Sequence, residues 1–189
     1  VVGSEPLAIG SDGRPTLAGH FLVAGAKLND PNFEHTVVYV VRHDATGAFG
    51  VIVNRPVGRG PLSELLRGFG IDSGEIAGNA EAVLHFGGPM ERHLAFALHT
   101  PDYVGEATLS VGRYAALSPL EDVLKAIGAG HGPRRQLLIL GYAGWSAGQL
   151  ESEVDRDDWL IAPFDEELAF GENPEKKWQV ALHKAGMDL

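Results

Sequence analysis

The chain has 189 residues, is 44% hydrophobic and carries a formal net charge of −10. That length and apolar content suit one domain with a sizeable core, and the charge opposes phosphate backbones and anionic lipid. The absence of cysteine removes disulfides, thiolate chemistry, iron–sulfur ligation and the common zinc frameworks.

A cysteine-free chain suits a reducing cytoplasm, which is the expected location. Residues 1–20 hold Glu5, Asp12 and Arg14 and no continuous apolar run, so no secretory signal is expected. No apolar run approaches the ~20 residues of a membrane span. The doubled basic residues Arg134-Arg135 and Lys176-Lys177 are isolated and read as solvated surface, so direct nucleic-acid binding is disfavoured. A small ligand or a protein is the expected partner.

Residues 1–16 are rich in Gly, Pro and Ser and are expected to be a loose segment before one domain over 17–189. Residues 20–26 read as a first strand, and Asn29-Asp30-Pro31 as a turn. Residues 36–43 are β-branched and almost wholly apolar, as a strand buried on both faces requires. Residues 49–54 follow a turn at 44–47 and complete a hairpin that Arg55-Pro56 ends. A short helix is predicted over 61–69 and a strand over 82–86, closed by Gly87-Gly88-Pro89. Residues 93–100 alternate, placing Leu94, Phe96 and Leu98 on one face. A weaker strand covers 107–111. Ser118-Pro119-Leu120-Glu121 reads as a capping box opening a helix to Ile127. Residues 136–142 are a buried strand, followed by a turn at 143–145 and a helix to Asp157. Residues 159–162 form a last strand, and Asn173-Pro174 opens a final helix to Ala185. Consecutive strands broken by single helices predict an α+β fold with a mixed or antiparallel sheet.

Gly144-Trp145-Ser146-Ala147-Gly148 matches G-x-S-x-G, the nucleophile elbow, between a strand and a helix. Chain order then permits Ser146, an acid among Asp155, Asp157, Asp158 and Asp165, and His183. His85-Phe86-Gly87-Gly88 faintly resembles a glycine-rich oxyanion segment. Against this serine hydrolase reading, a chain with 25 Gly matches the motif easily by chance. Ser146-x-x-Gln149 is also a capping box, and the hydrolase elbow belongs to a parallel sheet. The hydrolase using Ser146 and His183 therefore stands as the alternative. On the following helix, Ala147, Leu150 and Val154 should face the core, while Glu151 and Asp155 form a solvated acidic pair.

No pair of histidines has metal-ligand spacing, and no phosphate-cradling glycine motif is present, so no metal and no cofactor is expected. Three strand-end features remain. Asn54 and Arg55 offer an amide and a guanidinium, Gly87 and Gly88 could expose consecutive amides, and Tyr142, Trp145 and Gln149 surround the strand-to-helix turn. These seven residues are the expected binding surface.

The same segments, in the same order, resemble the YqgE/AlgH family of bacterial proteins. The stretches that carry the resemblance are 17–56, 85–103 and 140–163, with Lys177-Trp178 and the 186–189 ending. The resemblance implies a single compact α+β domain on a mixed, barrel-like sheet flanked by helices, in a cytosolic protein. It implies no particular reaction, and some members have been proposed as transcriptional regulators. The family pattern keeps Gly141, Tyr142, Trp145, Gly148, Gln149, Leu150 and Glu151 but does not demand serine at Ser146. A non-enzymatic binding or regulatory protein is the leading expectation.

Overall fold

A computed structural model describes residues 7–72 and 78–186. Strands β1 (Phe21–Ala24), β2 (Val37–Asp44) and β3 (Gly47–Ile52) pair antiparallel in succession. Next come β4 (Pro56–Pro61), α1 (Leu62–Gly68), β5 (Glu81–Phe86), β6 (Met90–His99), β7 (Leu109–Val111) and β8 (Ala115–Pro119). The chain ends with α2 (Leu120–Gly128), β9 (Gln136–Ser146), α3 (Gln149–Asp155), β10 (Trp159–Ala162), α4 (Glu166–Phe170) and α5 (Pro174–Lys184).

The main sheet runs β10-β1-β2-β3-β9-β6-β8-β7, with the β4–β5 pair joined to β9 through β5. Among the described residues only the β5–β9 pairing is parallel, so the sheet is mixed but mostly antiparallel. It curls until its far ends approach each other. Tyr39 on β2 donates its hydroxyl to the Val111 carbonyl on β7 at 3.3 Å. Tyr114, in the β7–β8 turn, stacks on Phe164, which follows β10, at 5.3 Å between ring centroids. The result is a half-barrel.

Strict alternation assigns the two faces. Phe21, Val23, Tyr39, Val51 and Ile139 point inward, where Leu168 of α4 and Ala181 and Leu182 of α5 complete the core. Leu22, Ala24, Val38, Val40 and Ile52 point outward beneath Leu150 of α3, Trp145 and Trp159. Two covered faces explain why these strands read as unbroken apolar runs. A third cluster packs Leu66, Val123 and Leu124 of α1 and α2 against Ala97 and Leu138.

Several local expectations are corrected. Residues 56–61 form edge strand β4, whose terminal prolines are tolerated because, among the described residues, β5 alone pairs with it. The capping box at Ser118 does not form. Ser118 is the fourth residue of β8, and Pro119 precedes α2 with no side-chain cap. Asn173 likewise makes no cap bond, and Pro174 alone shapes the start of α5. The turn expected at 143–145 is strand, because Ala143, Gly144 and Trp145 pair with Gly50, Phe49 and Ala48 of β3. Of the segment expected to be loose, residues 1–6 lie outside the described residues. Residues 8–16 form a hydrogen-bonded turn, held at its base by the Thr16 amide on the Ala8 carbonyl at 2.9 Å.

Candidate functional site

The most irregular part of the sheet lies where β5 ends, β6 begins and both cross β9. Met90 pairs with Tyr142, yet Ala95 pairs with Leu140, so residues 91–94 bulge out of the ladder. Three glycines permit this crossing. Gly87 lies against the Ile139 side chain and the Gly141 carbonyl, and Gly88 lies on the Tyr142 backbone, too close for any side chain. Gly141, at φ 73°, would place a Cβ 3.0 Å from the Met90 oxygen and 3.4 Å from the Arg92 Cα. Glu91 takes a left-handed φ of 39° without being glycine. Bulges and such outliers concentrate where a protein presents side chains for use.

What the bulge presents is specific. The Tyr142 hydroxyl donates to Glu91 Oε2 at 2.6 Å, which pushes the phenol's pKa upward. The Tyr142 ring meets Phe49 edge-on at 5.3 Å. Arg92 lies 5.2 Å over the Phe86 ring, a cation–π contact. Met90 stays 47% exposed beside them.

Arg55 meets this region through its backbone carbonyl, and the preceding strand β3 meets it through Ile52. The Phe86 amide donates to the Arg55 carbonyl at 2.8 Å, and the Ile52 amide donates to the Gly87 carbonyl at 2.9 Å. The side chains of Asn54 and Arg55 turn to the loop before β2. The Arg55 guanidinium donates to the carbonyls of Pro31, Asn32 and Glu34 at 2.7–2.9 Å. Asn54 accepts from the Val37 amide and donates to the His35 carbonyl, both at 2.9 Å. Both residues thus brace loop 31–36. The Gly87 amide, one of the two that could have been exposed, donates to the Leu140 carbonyl at 2.8 Å.

Trp145 and Gln149 belong to a separate network on the outer face. The indole N–H groups of Trp145 and Trp159 both donate to Glu153 Oε2, at 2.8 and 2.9 Å. Gln149 Nε2 donates to Glu153 Oε1 at 2.9 Å. Gln149 Oε1 accepts from the Ser146 amide at 3.0 Å and lies 3.2 Å from its hydroxyl. Half of the expected capping box is therefore present. The helix cap itself is Gly148 at φ 76°, and Ala147 is exposed instead of facing the core. Ser146 is a paired strand residue opposite Gly47, not the apex of a strained elbow. His183 rides on α5, which covers the inner face, while Ser146 neighbours α3 on the outer one.

A serine–histidine contact does exist elsewhere, and sequence reasoning missed it. His99 Nδ1 lies 2.8 Å from the Thr100 carbonyl, so it carries the proton, and Nε2 accepts from Ser118 Oγ at 2.8 Å. Thr108 Oγ1 stands 2.7 Å from Ser118 Oγ and takes the Gly105 amide at 2.8 Å. His99 is 0% and Ser118 2% exposed, so this chain of bonds anchors loop 100–108 on the sheet. Alternation along β6 puts His99 on the same face as Ala95 and Ala97, the face that α1 and α2 cover. His43 is engaged too. Its Nδ1 accepts from the Leu17 amide at 2.9 Å and its Nε2 meets Glu151 Oε1 at 2.8 Å, fastening the N-terminal turn to α3.

Lys177 is the other missed residue. It is 4% exposed, and its ammonium donates to the carbonyls of Val53 and Ala169 at 3.1 and 3.3 Å. Burial, then the charge of Arg135, lowers its pKa to about 8. Among the described residues no group of three or more His, Cys, Asp or Glu side chains could hold a metal ion.

The fold defines an α+β half-barrel domain with helices on both faces of one curled sheet. A family model described as AlgH-like (DUF179) matches residues 21–189. A UPF0301 protein of Methylococcus capsulatus is 46% identical over 178 residues, 94% of this chain and 96% of its own length. A UPF0301 protein of Rhodospirillum rubrum is 41% identical over 172 residues, covering 91% and 88% of the two chains. The solution structure of the AlgH protein from Pseudomonas aeruginosa superposes with a TM-score of 0.73 at 39% identity, over 93% of this chain and 92% of that one. A Corynebacterium diphtheriae crystal structure shares the fold at a TM-score of 0.62 and 17% identity, over 84% and 81% of the two chains. The chain belongs to the AlgH-like family.

Proposed function

We propose that the protein is a non-enzymatic, regulatory binding protein of the cytoplasm that presents the bulge at 91–94, with Met90 and Tyr142, to a protein partner. The observation that carries this reading is the bulge itself. Three close-packed glycines and a left-handed Glu91 hold a methionine, a carboxylate, a guanidinium and a phenol outward in one patch. Methionine and arginine are enriched in the centres of protein interfaces. Of the expected binding residues, Gly87, Gly88 and Tyr142 belong to this patch, Asn54 and Arg55 brace loop 31–36, and Trp145 and Gln149 lie in the separate network around Glu153.

Regulation by direct DNA contact is the weaker reading. Arg134 pairs with Glu166 at 2.7 Å and Arg135 with Glu167 at 2.6 Å. Lys177 of the second basic doublet is buried. Neither doublet supplies a free basic stripe in a chain of net charge −10. No helix among the described residues is long and apolar enough to cross a membrane.

Affinity capture from the source cells tests the proposal, with wild type, Met90→Asp and Arg92→Glu compared against Val180→Asp on α5. The expected result is one partner retained by wild type and the α5 variant and lost by both bulge variants. Equal capture by all four proteins would remove the bulge from the function.

A further inference from the structure

On the outer face, a cavity of about 390 Å³ separates the N-terminal turn from α3. Pro15 and Leu17 belong to one wall, Glu151 and Val154 to the other, and His43 bridges the two.

The partners of His43 fix its protonation state. The Leu17 amide can only donate, and it reaches Nδ1 at 2.9 Å, so Nδ1 is bare and the proton sits on Nε2. Nε2–H in turn donates to Glu151 Oε1 at 2.8 Å. The His43 side chain is 7% exposed and Leu17 5%, so little water is at hand to replace either bond.

A second proton can bind only at Nδ1, where it would face the Leu17 N–H, donor against donor. The bond to Glu151 survives that change, because an imidazolium and a carboxylate attract. The surrounding charges favour the proton. Glu151 and Asp155 of α3, Asp12 of the turn and Asp44 of β2 stand around the same cavity, against Arg14 of the turn. Arg42, the residue before His43 on β2, lies 3.9 Å from Asp44. Although burial opposes it, bonds from its own amide and from His43 hold the Glu151 carboxyl below its usual range. The histidine is therefore the group here that changes charge near neutrality. Two further bonds hold the turn without using the ring. Thr16 Oγ1 donates to the His43 carbonyl at 2.9 Å, and the Ala45 amide donates to Asp12 Oδ2 at 3.1 Å. The turn can thus loosen at Leu17 and stay attached.

We infer that His43 is a pH-sensitive latch: neutral, it clamps the N-terminal turn to α3, and protonated, it releases the turn, keeps α3 and opens the apolar cavity between them. A closed turn excludes the second proton and a loosened turn admits it, so falling pH favours opening.

The test follows ¹⁵N-histidine resonances and amide-exchange protection factors of the full chain from pH 8 to pH 5. His43 Nδ1 should gain a proton, and protection across residues 9–17 should fall about tenfold or more with the same midpoint, as for a stranded buried donor. Protection across α3 should hold. His43→Asn puts an acceptor that does not titrate in place of Nδ1, and should make the turn's protection independent of pH. Glu151→Gln keeps an acceptor for Nε2–H but removes the charge, and should move the midpoint to lower pH. That variant leaves His43 in place, so it reads the latch even if His43→Asn folds poorly. The inference is overturned if His43 stays neutral to pH 5, or if it titrates while the turn keeps its protection. It is equally overturned if α3 loosens with the turn, if folded His43→Asn keeps the wild-type pH dependence, or if Glu151→Gln leaves the midpoint unmoved.

Discussion

Tyr142 on β9 donates its hydroxyl to Glu91 at 2.6 Å, so the residue in the least favourable backbone conformation of the bulge is held by the strand beneath it. Tyr142→Phe removes that tether and leaves the ring packed on Phe49. Amide hydrogen exchange across residues 90–94 should accelerate severalfold while the rest of β9 keeps its protection. Unchanged exchange there would show that the glycines alone shape the bulge.

Gly141→Ala should be among the most damaging small substitutions. Its φ of 73° and its contacts with Gly88, Met90 and Arg92 leave no room for a Cβ. A loss of several kcal/mol is expected, roughly strain plus displaced backbone. Gly148→Ala meets the same sign of φ but open space, and should cost only about 1 kcal/mol. Urea unfolding of the pair separates conformational strain from crowding.

Glu153→Ala strands two indole N–H groups, on Trp145 and Trp159, which are 7% and 2% exposed. A loss of about 1–3 kcal/mol per stranded donor is expected, and Glu153→Gln should lose less. Tryptophan fluorescence during unfolding reads both.

The two serines should behave oppositely. Ser146→Ala should leave stability within about 0.5 kcal/mol, as for an exposed site, and should leave any hydrolysis of generic esters unchanged. Ser118→Ala leaves buried His99 Nε2 without a donor and should cost about 1–3 kcal/mol. Ester hydrolysis lost with Ser146→Ala alone would restore the hydrolase alternative.

Lys177 imposes a pH dependence. The folded amine releases its proton from about pH 8, whereas the unfolded one holds it to about 10.5. Between those values the unfolded chain binds more protons, so stability rises with pH, by up to ~3 kcal/mol. Lys177→Met should flatten that rise. The difference between the two stability curves from pH 7 to 11 measures it, and parallel curves would contradict a depressed amine.

Most of the fold was legible wherever burial left a clean pattern. The apolar run of β2 and the alternation of β6 state which faces are covered. Elements without such a pattern were not legible. β4 is Pro-Val-Gly-Arg-Gly-Pro, and it is a strand only because β5 offers an edge. Ser118 has the local chemistry of a helix cap, yet a histidine 19 residues earlier claims its hydroxyl. Trp145 sits among turn residues, and its burial against β3 extends the strand through them. At the site, the glycines and Tyr142 were legible as unusual residues at strand ends. The directions of the Asn54 and Arg55 side chains were set by loop 31–36, which no local pattern reports. Residues 91–94 carry no turn signature, and their bulge is visible only from the register against β9.

The half-barrel is closed by aromatic side chains instead of a hydrogen-bonded ladder. Between β7 and the end of β10 stand Tyr39, Tyr114 and Phe164, so the two sheet edges can part without breaking a strand pairing. That seam is the path of least resistance into the protein's interior. Under mild denaturant or pressure, water should first reach the core there, ahead of any loss of secondary structure.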